Sequence, residues 1–126
     1  MPVIDFQNGT FVKLGPIDPN SLARELEPLL VEGEEVLLAF KGMRDSVVFT
    51  SKRLISINVQ GLTGKKRDYT SLPLNRVQAW SVETSGTFDL DSELDLWFSG
   101  LGRVRLEFKG NVDIRRISHL IGQHVL

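Results

Sequence analysis

The 126-residue sequence has no cysteine. That single absence removes disulfides, thiolate nucleophiles and cysteine-ligated zinc together. Charge of one sign is missing too: 15 Lys+Arg stand against 16 Asp+Glu, a net charge of −1. Such a balance supplies no global field for DNA, RNA or an anionic membrane, so nucleic acid is not an expected partner. Long apolar runs are absent, the longest being Val36 to Phe40, far short of a bilayer span. Met1 to Phe6 carries neither a basic region nor an apolar stretch of secretory type, and a cytoplasmic protein is expected. There are only two histidines, His119 and His124. Five helical steps set them roughly 140° apart, so they cannot chelate one ion from one face.

No nucleophilic serine between glycines and no phosphate loop leading into a helix can be found. Gly61 to Lys66 only echoes a phosphate loop, and a strand follows it. Asp89, Asp91, Glu93 and Asp95 alternate with leucines, as on a strand with one wet face, and lack the glycine of a calcium loop. Arg103, Arg105 and Lys109 offer these acids protein partners. No metal, cofactor or enzymatic activity is expected.

What is present is the patterning of one mainly β domain. Asn8-Gly9 lies between two short apolar pieces, Val3 to Phe6 and Phe11 to Leu14, and suits a hairpin turn. Residues 1–17 otherwise read as an extension of unassigned structure. Asp18-Pro19-Asn20-Ser21 signals a helix start, and Leu22, Leu26, Leu29 and Leu30 recur at helical spacing. Pro28 breaks that helix near Glu27, and Gly33 ends it.

Strand patterns then run from Val36 to Phe108. Phe49 to Ile55 reads as two strand ends closed over a polar turn. In Leu54 to Gln60, residues Ile55, Ile57 and Val59 share a face. Around Gly100-Leu101-Gly102 the last hairpin is expected to pair Phe98 with Val104, Leu96 with Leu106 and Leu94 with Phe108. All apolar residues then lie on one face, although Asp95 meets Glu107 unfavourably. Asn111 and Asp113 open a C-terminal helix whose apolar stripe is Ile114, Ile117, Leu120, Ile121 and Val125.

Three basic spots, Lys52-Arg53, Lys65-Lys66-Arg67 and Arg115-Arg116, are short and lack interleaved aromatics, and read as solvated surface and edge protection.

The segments Pro28–Val36, Phe49–Ile55, Gln60–Lys66, Ser81–Leu94 and Trp97–Gly100, in this order and spacing, resemble the single-domain bacterial pleckstrin-homology (PH-like) family of small uncharacterised proteins. The resemblance implies a barrel of about seven antiparallel strands in two near-orthogonal sheets, closed by the C-terminal helix. It further implies a non-enzymatic interaction module that forms a cyclic homo-oligomer, a pentamer, and binds another protein through a polar surface. Lys52, Arg53, Glu83, Thr84, Asp89 and Asp91 are the polar members of the matching motifs. The alternative is peripheral binding to anionic phospholipid headgroups. Its candidate loop, Lys41 to Asp45, is short and carries an acid.

Overall fold

The computed structural model describes residues 9–84, 86, 91–110 and 112–126. Eight strands form one sheet: β1 Gly9–Ile17, β2 Val36–Lys41, β3 Ser46–Thr50, β4 Arg53–Gln60, β5 Lys66–Pro73, β6 Val77–Glu83, β7 Ser92–Phe98 and β8 Gly102–Phe108. Their order is β5-β4-β3-β2-β1-β8-β7-β6. The expected mainly β, PH-like architecture with a C-terminal helix is there, but as one sheet that is not closed rather than two, and with one strand more than anticipated. The extra strand is β1, in the segment read as an unassigned extension. The hairpin expected around Asn8-Gly9 has its first arm outside the described residues.

β1 joins the two halves of the sheet. Its first part runs parallel to β8, with Phe11 opposite Leu106 and Leu14 opposite Phe108. Its last part, Gly15 to Ile17, pairs antiparallel with β2. The strands are therefore not all antiparallel. A bulge between Phe11 and Leu14 interrupts the β8 pairing, and Lys13 there has φ 54°, a left-handed conformation uncommon for a residue with a side chain. β5 and β6 end the sheet and do not pair with each other.

The helical segment between β1 and β2 follows its sequence signals. The Asp18 carboxylate accepts from the Asn20 N–H, capping a 3-10 turn, Pro19–Leu22. Next come α1, Ala23–Leu26, and a second 3-10 turn, Glu27–Leu29. The α geometry thus stops where Pro28 takes away an amide donor. Leu26 is fully buried against Ala39, Val48, Ile55 and Ile57 on the outer face of the sheet. That explains β3, whose five residues are all buried. Val47 and Phe49 face the main core, and Val48 faces the helical segment. Ile55 and Ile57 share a face, as their alternation indicates, and it is the face under the helix.

The main core gathers Leu14, Phe40, Phe49, Leu54, Leu72, Leu94, Leu96, Leu106 and Phe108 with the apolar stripe of α2, Ile114–Val125. α2 packs on β6, on β7 and on the 3-10 turn Leu74–Arg76. Asp113 caps it by accepting from the Arg116 N–H, and Trp80 Nε1 donates to Ser118 Oγ at 3.1 Å. Asn111, the other expected cap, lies outside the described residues.

The last hairpin differs from expectation by two residues. Phe98 faces Gly102, Leu96 faces Val104, Leu94 faces Leu106 and Ser92 faces Phe108. A slip of two keeps every side chain on its face, so the apolar pattern alone does not distinguish the two registers. The other face exchanges one acid pair for another, since Glu93 now lies opposite Glu107. Asp95 now lies opposite Arg105 instead of Glu107, and Arg105 Nε donates to its carboxylate at 2.8 Å. Glu93 joins at 3.8 Å. Gly100 and Gly102, at φ 79° and 108°, let the chain turn over Ser99 to Leu101.

The helical segment's single buried anchor supplies a stability test. Leu26→Ala is expected to cost about 2–5 kcal/mol in urea unfolding. Leu62→Ala, on an exposed turn, is expected to stay within about 0.5 kcal/mol of the parent.

Candidate interaction surface

The tight turn between β3 and β4 is built around a buried carboxylate. The Glu34 side chain is 0% exposed and receives Arg53 Nε at 2.8 Å on one oxygen and Arg53 Nη2 at 2.8 Å on the other. Thr50 Oγ1 donates to it at 2.6 Å and the Val31 N–H at 3.0 Å. Thr50 Oγ1 also accepts from the Lys52 and Arg53 N–H groups, which closes the turn. Arg53 spends its remaining donors on the Leu29 carbonyl and on Ser71 Oγ. Burial by itself raises the Glu34 pKa. The bonds from Arg53, Thr50 and Val31, with the charge of Arg53, outweigh it and hold the carboxyl below its ordinary value of 4.5.

Arg53 therefore turns inward, although its motif marked it as a surface candidate. Lys52 beside it is exposed. Glu83 and Thr84 are exposed at the far end of β6, and Asp91 is exposed just before β7. The Lys52 carbonyl accepts from the Leu74 N–H at 2.9 Å, so the β3–β4 turn sits beside the beginning of β6. Six residue steps along β6 place Glu83 roughly 20 Å from Val77. The candidate residues thus lie toward two ends of the domain, not in one cluster. Asp89 lies outside the described residues.

Glu34 was not singled out in the sequence, because its partners are 16 and 19 residues away. The signal available was an acid in the Gly33-Glu34-Glu35 turn with no helix or strand to occupy it.

The opposite end of the sheet carries the β2–β3 and β4–β5 turns. Met43 is 89% exposed and Leu62 fully exposed at their tips, and Val12 on the β1 bulge is 52% exposed. Arg44 Nη2 donates to the Gly61 carbonyl at 2.9 Å and ties the two turns together. Asn58 Nδ2 donates to Asp45 at 2.7 Å. Burial raises the Asp45 pKa, with the Arg44 charge only partly offsetting it. Glu25 holds Arg67 at 2.8 Å and accepts from the Tyr69 hydroxyl at 2.5 Å. Among the described residues no three His, Asp or Glu side chains converge as a metal site.

This arrangement, a twice-joined sheet with one amphipathic C-terminal helix packed at its open corner, belongs with known proteins. Residues 5–125 match the family described as bacterial PH domain. The chain belongs to that family. An uncharacterised Bacillus subtilis protein, YjqA, is 42% identical over 92% of this chain and 94% of its own length. A pleckstrin-homology-domain protein of the DUF1696 family from Shewanella loihica has a structure that superposes with TM-score 0.80. It is 40% identical and covers 92% of this chain and all of its own. A pleckstrin-homology domain from Shewanella amazonensis superposes with TM-score 0.67 at 47% identity, over 87% of this chain and 90% of its own. The PH domain here is mainly β with a C-terminal helix. No helix among the described residues is long and apolar enough to cross a membrane.

The buried pair has a pH signature. Because the folded Glu34 pKa lies below 4.5, its contribution is full above the unfolded value and is lost as pH falls through the folded one. Glu34→Gln leaves Arg53 without a counter-charge. It is expected to cost about 3 kcal/mol near neutrality, the low end for a broken buried pair, because Arg53 keeps 20% exposure. Its stability, followed by urea unfolding across the acid range, is expected to fall less steeply with acid than that of the parent.

Proposed function

We propose that this PH domain is a non-catalytic, cytoplasmic binding module that assembles with copies of itself into a closed ring and presents a polar surface to a partner protein. The observation that carries the reading is the pair of unlike edges, β5 and β6, which among the described residues end the sheet. A strand edge is a row of unpaired N–H and C=O groups, and two different edges on one chain match head to tail rather than face to face. Head-to-tail contacts generate rings when the rotation closes.

Charge supports the same pairing. β5 begins at Lys66, just after Lys65, and β6 ends at Glu83. An antiparallel β5–β6 contact between two copies sets the basic start of one strand against the acidic end of the other. The lysines that discourage indiscriminate pairing then favour this one. Around the ring the outward polar residues Lys52, Thr84 and Asp91 recur once per copy, which raises avidity for a partner bearing several sites.

Light scattering after size exclusion tests the reading, with a multiple of the 14.2 kDa chain expected, five copies for the pentamer the family resemblance implies. Adjacent N–H groups on a strand point to opposite sides, so of Ser81→Pro and Val82→Pro one removes an outward donor and the other an inward one. The outward variant is expected to stay folded and run as a monomer. A parent that is monomeric at micromolar concentration, or two folded proline variants of unchanged mass, overturns the ring.

A further inference from the structure

We infer that the groove between the helical segment and the β2–β3 and β4–β5 turns is a docking site for an acidic segment of a partner protein that carries large apolar side chains. The groove encloses about 730 Å³ and includes Leu22, Lys41, Met43, Arg44, Val59 and Leu62 in its lining. It adjoins a second hollow of about 450 Å³ that reaches Val12 and Lys13 and shares Met43, Arg44 and Val59 with it. Three large exposed apolar side chains, Val12, Met43 and Leu62, therefore line one continuous surface. Exposed apolar side chains gathered this way mark interaction sites more often than singly scattered ones do. Met43 adds a flexible, polarisable contact suited to partners of varied shape.

Charge selects the occupant. Lys13, Lys41 and Arg44 surround this surface, and among the described residues none of the three is in a salt bridge. The two carboxylates in the walls are already engaged, Glu25 with Arg67 and Tyr69, and Asp45 with Asn58. A chain of net charge −1 has thus gathered more cations than carboxylates where its apolar tips lie, with Asp45 tempering Arg44 alone. Complementary negative charge on the partner steers encounter, and burial of its apolar side chains supplies affinity.

Concavity favours a chain over a bilayer. Ile17, Leu22 and Val59 are only partly exposed within the groove, where an entering side chain can reach them and a flat headgroup surface cannot. The groove touches the β5 edge at Arg67, but Val12, Lys13, Lys41, Met43 and Arg44 lie off both edge strands, and the site does not depend on ring formation.

The test is selection of a random peptide display library on the full-length protein, counter-selected on the Lys41→Glu/Arg44→Glu variant. Expected are sequences rich in Asp and Glu with interspersed Leu, Phe or Met. Met43→Ser and Leu62→Ser, whose circular dichroism should match the parent, are each expected to weaken those peptides about tenfold. Lys52→Glu should leave binding unchanged. No enrichment over the counter-selecting variant, or enrichment without acidic bias, overturns the site. So does salt-sensitive sedimentation with phosphatidylserine vesicles that is lost in the Lys41/Arg44 variant while no peptide is enriched.

Discussion

The Glu34–Arg53 pair ties the helical segment to strands with which it shares no ladder. Through it the end of the helical segment, at Leu29 and Val31, is bound to the β3–β4 turn and to Ser71 on β5. Burying a carboxylate is costly, and it is tolerated here because Arg53, Thr50 and Val31 all bond to it. A residue lacking any of these bonds would leave a charge in a site without water. The pair therefore acts as a condition on the fold. The helical segment covers Ile55 and Ile57 only when the turn is closed, and the turn closes around Thr50 and the same carboxylate.

A second constraint follows from β1. A strand that pairs with β8 along its first part and β2 along its last must change partners midway. It does so between Leu14, still opposite Phe108, and Gly15, opposite Lys41, while the bulge at Val12-Lys13, with Lys13 left-handed, shifts the β8 register just before. The bulge also turns Val12 outward beside Met43. Strain that serves sheet continuity thus places an apolar side chain on the surface. The same device leaves β5 and β6 as unlike ends, since the sheet is joined in its middle and open at its margins.

Much of this was legible in the chain because periodicity reports faces. The strands from Val36 to Phe108, the stripe of the last helix and the break at Pro28 all follow from local chemistry. The register of the last hairpin was not legible from apolar spacing, which is blind to a slip of two. The charged face did not decide it either, since the observed register sets Asp95 against Arg105 but Glu93 against Glu107. The candidate site was legible only in part. Lys52, Glu83, Thr84 and Asp91 are exposed as anticipated, but Arg53 is drawn inward by an acid distant in sequence. Pairings of that kind depend on tertiary contact and leave no spacing to read.

The two ends of the domain resolve their charges in opposite ways. At the β3–β4 turn, cation and carboxylate satisfy each other inside the structure. At the β2–β3 and β4–β5 turns, Arg44 gives one hydrogen bond to a backbone carbonyl and keeps further donors, while Lys13 and Lys41 hold no carboxylate among the described residues. Met43 and Leu62 stand exposed beside them, although each could be polar at no cost to the turn. Folding accounts for the first end completely. It does not account for the second, where apolar tips and an excess of cations lower stability or leave it unchanged. The residues that folding leaves unexplained are the ones available for recognition, and here they share one concave surface.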